Sequence, residues 1–117
     1  MITPAAGAAI YLYAHPTDMR KSFDGLSGIV RGGLGREPNE GSYFLFLNRR
    51  RDRIKVLYWD GDGLVLWYKR LERGTFESLR AEEGQDAVRI DATDLALILS
   101  GVSLASAKRR KRYSPAA

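Results

Sequence analysis

The chain of 117 residues contains no cysteine, a single histidine and no long apolar run. The absence of cysteine excludes disulfide bonds, thiolate zinc sites and cysteine nucleophiles. A membrane span needs roughly 18 consecutive apolar residues, and no stretch of the sequence approaches that length. The N-terminal segment lacks the basic and apolar regions of a signal peptide. We therefore expect a soluble cytoplasmic protein that does not bind membranes.

Catalytic motifs are also missing. The glycine-rich segment 32–35 lacks the lysine and hydroxyl of a phosphate-binding loop, and no serine occupies a G-x-S-x-G elbow. His15, which precedes Pro16, is more typical of a structural residue than of a base or metal ligand. Asp60 and Asp62 are spaced like the first ligands of a calcium loop, but the later ligands are absent, so a turn explains them better. We expect no enzymatic activity, no cofactor and no metal site.

Charge is distributed unevenly along the chain. The net charge is +5, and the five consecutive basic residues of segment 108–112 account for all of it. A second basic cluster spans residues 49–55 and contains one acidic residue, whereas residues 82–94 are predominantly acidic. Segregated charge favours oriented contact with a polyanion over diffuse adhesion.

Apolar runs and turn residues predict a small single α+β domain over residues 1–104, followed by a flexible basic tail over residues 105–117. The sheet should be mostly antiparallel with about four strands, and two helices should pack against it. Strands are expected at residues 10–13, 43–47, 54–59 and 64–71, with a further short strand at 75–79.

Both helices carry capping signals. The first is predicted from an apolar stripe that begins at Met19, with Thr17 or Asp18 as its N-cap. For the second, Asp91 as N-cap and Asp94 at the third helical position predict a capping box. Glycine residues end each helix, among them Gly101 after the second.

The Asp-Gly-Asp-Gly segment 60–63 predicts a tight β-hairpin turn between two apolar strands. In the resulting register Trp59 faces Leu64 and Arg53 faces Arg70. Opposed like charges destabilise a strand pair unless an anion or a carboxylate lies between them, so this register points to an anion site. Four aromatic residues of the hairpin are either core residues or a platform on which bases stack, and at least two should be core: Tyr58, Trp59, Trp67 and Tyr68.

A DNA-binding surface is predicted from the basic residues. The three adjacent arginines at 49–51 form either a solvated loop or a phosphate-binding surface, since they repel one another unless a partner neutralises them. Phosphate contacts position a protein on DNA without specifying its sequence. The predicted contact residues are Arg49, Arg50, Arg51, Arg53 and Lys55 in the central cluster; Arg20 and Lys21 at the first helix; Lys69, Arg70 and Arg73 at the end of the hairpin; and Lys108, Arg109, Arg110, Lys111 and Arg112 in the tail.

Two long signatures resemble those of a known family. The first is PTDMRKSFDGL at residues 16–26, and the second is RDRIKVLYWDGDGL at residues 51–64, which continues as YKRLERG at residues 68–74. The late segment LILSGV at residues 97–102 is similar to the closing helix and turn of the same family. In this order they resemble the TnpB-type accessory proteins of insertion sequence 66, the products of the element's second open reading frame.

This resemblance implies a bacterial mobile-element protein that assists DNA transposition, while a separate DDE-type transposase cuts and joins the DNA. It carries over no catalytic residues. The implied partners are DNA, at the element ends, and the transposase and other transposition proteins. Two alternatives remain open: an adaptor that docks the transposase through the acidic region 82–94 and an aromatic surface, and a metal-dependent nuclease built on Asp18, Asp24, Asp60 and Asp62.

Overall fold

The computed structural model describes residues 2–102 and Leu104, and the predicted tail lies outside this part of the chain. Within it, a five-stranded sheet and two helices form the fold. The strands are β1 (Ile10–Tyr13), β2 (Tyr43–Leu47), β3 (Arg53–Asp60), β4 (Gly63–Arg70) and β5 (Ala87–Ile90), and the helices are α1 (Phe23–Leu34) and α2 (Ala92–Ser100). The predicted α+β class is confirmed, with one strand more than the four expected.

The strand order across the sheet is β4-β3-β2-β1-β5. β1 and β2 are parallel because α1 carries the chain back between them, and the other neighbouring pairs are antiparallel. The extra strand, β5, pairs with β1 at the edge of the sheet. Its residues, Ala87–Ile90, were not among the predicted strands.

The hairpin of β3 and β4 has the predicted register. Trp59 pairs with Leu64, and Arg53 pairs with Arg70. Gly61 has a φ of 65°, which a two-residue type II′ turn requires at its first central position. The turn chemistry therefore sets the register of all eight residue pairs in this ladder.

Each face of the sheet is covered by one helix. On one face Leu26 and Val30 of α1 pack against Phe44, Phe46 and Leu57. The other face carries the second core cluster, which includes these residues of the strands and α2: Leu12, Leu45, Leu47, Ile54, Val56, Leu95, Ile98 and Leu99. A sheet buried on both sides explains why β2 is a continuous apolar run rather than an alternating one. In the described residues, neither helix is long and apolar enough to cross a membrane.

The predicted strand at residues 75–79 is wrong, because this segment is irregular. Phe76 is fully buried in the core beneath α2, and its N–H donates to the Arg51 carbonyl at 2.6 Å. Its neighbours Thr75 and Ser78 are exposed. One inward aromatic ring thus anchors the long connection between β4 and β5 at the end of the sheet.

The first helix begins at Phe23, four residues later than the apolar stripe predicts. Asp18 accepts hydrogen bonds from Arg20 instead of capping the helix, and Ser22 occupies the N-cap without a side-chain bond. The carbonyls of Met19 and Lys21 both accept from the ammonium of a lysine on β3. This tertiary contact holds the segment outside the helix.

The second helix has both predicted ends. Asp91 Oδ1 accepts from the Asp94 N–H at 2.8 Å, and Asp94 Oδ2 accepts from the Asp91 N–H at 3.2 Å. Gly101 follows with a φ of 80° and donates to the Ile98 carbonyl. Local sequence therefore determines this helix almost completely.

Replacement of Asp91 with alanine should remove the N-cap and lower the free energy of unfolding by about 1 kcal/mol. Urea denaturation followed by circular dichroism measures the change. Thr93→Ala, at an exposed position in the same helical turn, is the matched control and should change it by less than about 0.5 kcal/mol. Equal stability of Asp91→Ala and the unmodified protein would contradict the capping role.

Candidate nucleic-acid interface

The predicted arginine cluster lies at one end of the sheet. The turn between β2 and β3 carries residues 49–51, and Arg53 begins β3 at the same end. Because β4 runs antiparallel to β3, its last residue, Arg70, lies beside Arg53. We call residues 49–51, Arg53 and Arg70 together the arginine end.

The turn is held by the side chain of Asn48. Its amide Nδ2 donates to Asp52 Oδ1 at 2.6 Å, and its Oδ1 accepts from the Arg53 N–H at 3.0 Å. The hydrogen bond from Asn48 lowers the pKa of Asp52, with further contributions from Arg53 and Arg50. The single carboxylate of this turn is thus directed at Asn48, in a fixed geometry.

The three arginines of the turn are exposed. Within residues 2–102 and 104, the ion pairs of the structure involve other residues, so no carboxylate pairs with Arg49, Arg50 or Arg51. Arg51 also has a φ of 60°, a left-handed conformation that costs a non-glycine residue about 1–2 kcal/mol. Positive charges without a carboxylate partner on a strained turn are typical of a site that binds an anion.

The opposed arginines of the hairpin each have a partner. Arg53 Nη1 donates to Tyr68 Oη at 3.1 Å. Arg70 donates through Nε and Nη2 to Glu72 Oε1, at 3.2 and 2.9 Å. The side chains of the Arg70–Glu72 pair are 58% and 82% exposed, so the pair is weak and a phosphate can compete for Arg70.

Lys55 is not part of the exposed surface, contrary to the sequence-based expectation. It is only 6% exposed, and its Nζ donates to the Met19 and Lys21 carbonyls at 2.8 and 2.7 Å. The same Nζ lies 4.6 Å from the centre of the Tyr68 ring. Lys55 therefore cannot contact DNA, and instead it fixes the segment that carries two other predicted contact residues. Strand alternation with buried Leu57 was the signal in the sequence for this burial.

Arg20 and Lys21 lie on the α1 side of the sheet, above β3. Both are exposed, and the Arg20 side chain forms an ion pair with Asp18, with Nη2 and Oδ2 separated by 2.6 Å. The stem of Lys21 lies over Gly25, where an added Cβ would come within 3.1 Å of it. Alternation along β3 and β4 places Arg53 and Arg70 on this same face. The structure thus brings these four cations onto one side of the arginine end.

The structure does not place the remaining predicted contact residues with these four cations. Lys69 is partly buried and lies on the opposite face of the sheet from Arg70, because successive side chains of a strand alternate. Arg73 is exposed in the connection that follows β4. The tail cations of segment 108–112 lie outside the described residues.

The aromatic residues divide as expected between core and surface. Tyr58 and Trp67 pack against the core cluster beneath α2, and the Tyr58 ring stacks on Tyr43 with centroids 4.7 Å apart. Tyr68 is 46% exposed beside Arg53. Phe23, the first residue of α1, is 43% exposed although the helical stripe placed it in the core.

The carboxylates proposed for a nuclease are not gathered into a site. In the described part of the chain, no three residues among histidine, aspartate and glutamate are placed to hold a metal ion. Asp60 ends β3, Asp62 lies in the hairpin turn, and Asp18 is bound to Arg20.

Comparison with known proteins decides the family. The IS66 Orf2-like family model matches residues 8–109. The chain belongs to this family. Membership connects the protein to an insertion sequence and to an accessory role in its transposition.

Two relatives come from Sinorhizobium fredii. The chain is 33% identical to the uncharacterized protein y4jC over 115 residues, which cover 98% of this chain and 97% of the relative. It is 34% identical to the uncharacterized protein y4hO over 102 residues, with 87% of each chain covered. No solved structure shows significant similarity to the chain.

Replacement of Lys55 with methionine should keep its packing but leave two carbonyls without their donor. We expect a free energy of unfolding lower by about 1.5–3 kcal/mol, the range for hydrogen bonds to charged groups. Hydrogen exchange should also accelerate at the amides of residues 19–23. Lys69→Met makes the same chemical change on β4, where the structure shows no hydrogen bond from the side chain within the described residues. Similar effects of the two substitutions would contradict the bracing role of Lys55.

The carboxyl of Asp18 should titrate with an unusually low pKa. Hydrogen bonds from Arg20 lower the pKa of Asp18 from 3.8 to about 2. Because the folded-state pKa is the lower one, the contribution to stability is present above pH 3.8 and is lost as the pH falls towards 2. Carboxyl NMR titration should show the pKa rising towards 3.8 in Arg20→Gln and unchanged in Arg31→Gln. An unchanged pKa in Arg20→Gln would contradict the pairing.

Proposed function

We propose that this IS66 Orf2-like protein is a non-catalytic accessory factor that binds DNA, at the ends of the insertion sequence, and helps to assemble the transposition complex there. The arginine end contacts the phosphate backbone. Arg20 and Lys21 extend the contact along the α1 face. The transposase, a separate protein, supplies the chemistry.

The exposed turn at residues 49–51 is the observation that carries this proposal. Its guanidinium groups have no carboxylate partner among the described residues, and the Asn48 hydrogen bonds keep the turn in one conformation. Guanidinium groups form bidentate hydrogen bonds with phosphate. Because the backbone of the turn is already ordered, only the arginine side chains lose conformational entropy when they bind a phosphate backbone.

We infer that the tail adds to the same contact. Gly101 and Val102 at the end of α2 line a cavity together with Arg51. The Leu104 N–H donates to Glu77 Oε2 at 2.5 Å. Four further residues span at most about 14 Å, a length that would allow Lys108 to approach the arginine end. The five tail cations and the arginine end can therefore bind one DNA segment.

The adaptor hypothesis has less support from the acidic region 82–94. Asp86 pairs with His15 at 2.8 Å, while Asp91 and Asp94 cap α2. Three of the carboxylates expected to dock the transposase are thus engaged within the protein. An adaptor would show no affinity for element ends alone and would still co-purify with the transposase.

Binding to duplex DNA of the element ends should weaken steeply with salt. Each phosphate contact contributes a slope of about 0.9 in log affinity against log salt. Replacing Arg49, Arg50 and Arg51 with glutamine should therefore flatten the slope by about 2.7, and removing residues 108–112 should flatten it by about 4.5. Fluorescence anisotropy at several salt concentrations measures both slopes.

The matched control replaces Arg31, Arg36 and Arg89 with glutamine. It removes the same formal charge away from the arginine end, and two of its residues, Arg36 and Arg89, lie over the Tyr11 ring of β1. Its slope should stay close to that of the unmodified protein. If the two triple variants lose the same slope, binding is diffuse. If the unmodified protein does not bind at low salt, the DNA-binding proposal is wrong and the adaptor function takes its place.

A further inference from the structure

The outer side of β4 is uncovered in the described part of the protein. β4 forms one margin of the sheet, and no backbone group in residues 2–102 or 104 bonds to it from outside. Natural edge strands are usually short, or are protected by proline, bulges or charges. β4 has eight residues, continuous pairing with β3 and no charged residue before Lys69. β5, at the other margin, has only four residues.

The hydrogen-bond ladder shows which groups are available. In an antiparallel pair, residues alternate between those bonded to the neighbouring strand and those directed away from it. The two-residue turn closes with the Asp60–Gly63 pair, and the Leu71 N–H donates to the Asp52 carbonyl at 2.8 Å. Odd-numbered residues of β4 therefore face β3. Leu64, Leu66 and Tyr68 direct their N–H and C=O groups outward.

We propose that two copies of this chain pair through β4 in antiparallel orientation, with Leu66 of both copies on the twofold axis. The two sheets then form one continuous sheet. This register opposes the outward groups of Leu66 to those of Leu66 in the other copy. Leu64 lies opposite Tyr68, so apolar side chains also meet across the new strand pair.

More than one register would align the outward N–H and C=O groups of the two copies of β4. The charges at the ends of the strand favour the register with Leu66 on the axis. With Leu66 on the axis, Asp62 of each copy lies opposite Arg70 of the other, which gives a favourable pair at both ends. A shift of two residues one way opposes Asp62 to Glu72, a pair of like charges. The opposite shift shortens the overlap, since it leaves Asp62 opposite Tyr68. The acidic turn and the basic end of the strand are therefore complementary only in an antiparallel pair.

The twofold axis would place the two arginine ends at opposite ends of the joint sheet. A dimer would then present two separate surfaces to DNA, each formed by residues 49–51 and Arg53, because Arg70 pairs with Asp62 of the other copy. These surfaces are suited to holding two DNA segments at once. This consequence depends on the proposed function, whereas the strand pairing does not. The experiments on pairing therefore use protein without DNA.

The cysteine-free sequence allows a direct test by cross-linking. Directly opposed residues of a hydrogen-bonded pair have Cα atoms about 5.5 Å apart, within the range that a disulfide bridges. Leu66→Cys should therefore give a covalent dimer on mild oxidation, seen on a non-reducing gel. Leu64→Cys is the matched control, because the two introduced cysteines would be about 13 Å apart along the pair and should not cross-link.

Sedimentation equilibrium tests the charge pairing. Asp62→Arg should make the dimer roughly tenfold weaker, and adding Arg70→Asp should restore it. Asp60→Arg makes the same charge change on β3, away from the pairing edge, and should leave the dimer unchanged.

Four results would overturn the proposal. The full chain could sediment as a monomer at all concentrations, or Leu64→Cys could cross-link as readily as Leu66→Cys. Asp62→Arg could have no more effect than Asp60→Arg. A dimer that forms only after removal of residues 105–117 would mean that the chain's own C-terminal segment occupies the edge. If the free protein is a monomer at all concentrations but still binds DNA, the pairing alone is refuted and the proposed function stays intact.

Discussion

The buried ammonium of Lys55 is the interaction on which the candidate interface depends. A buried charge is costly unless hydrogen bonds compensate it, and here two backbone carbonyls and the Tyr68 ring do so. The two carbonyls belong to Met19 and Lys21, more than thirty residues away in the sequence. One side chain thus fixes the start of α1 to the middle of the sheet. It also keeps Arg20 and Lys21 on the same side as the arginines of the hairpin.

In the part of the chain that the structure describes, the cations fall into two groups, those with a partner in the protein and those without one. Cations that pair with carboxylates or carbonyls, such as Lys55 and Arg36, stabilise local structure. The three arginines of the turn at 49–51 have no such partner among the described residues, and their exposure leaves them free to bind an anion. Membership of the IS66 Orf2-like family gives this surface its context, which is an accessory role in transposition.

Local patterns in the sequence predict much of this fold. The bounds of β1 and β2, the register of the hairpin and the capping box of α2 all follow from neighbouring residues and turn chemistry. The errors arise where distant contacts prevail. β5 is identified as a strand only by its pairing with β1, and Phe76 is buried singly, without a strand around it. The late start of α1 depends on Lys55, which no periodicity of the helix reveals.

The candidate site was predictable in composition but not in geometry. The exposed arginine turn and the opposed Arg53–Arg70 pair follow from the sequence. Lys55 and Lys69 were grouped with them because charge alone does not show which face of a strand a residue occupies. Alternation from the buried Leu57 places Lys69 on the opposite face once the register is known, whereas Lys55 shares the face of Arg53 and Arg70 and is buried there by its bonds to the Met19 and Lys21 carbonyls.

The most direct test of an open arginine surface is an NMR titration with duplex DNA of the element ends, following the side-chain Nε–Hε signals of arginine. Contact with phosphate should shift the signals of Arg49, Arg50, Arg51 and Arg53, and leave those of Arg31, Arg36 and Arg89 in place. Equal small shifts at all of these arginines, or shifts confined to the second group, would contradict a binding surface at this end of the sheet.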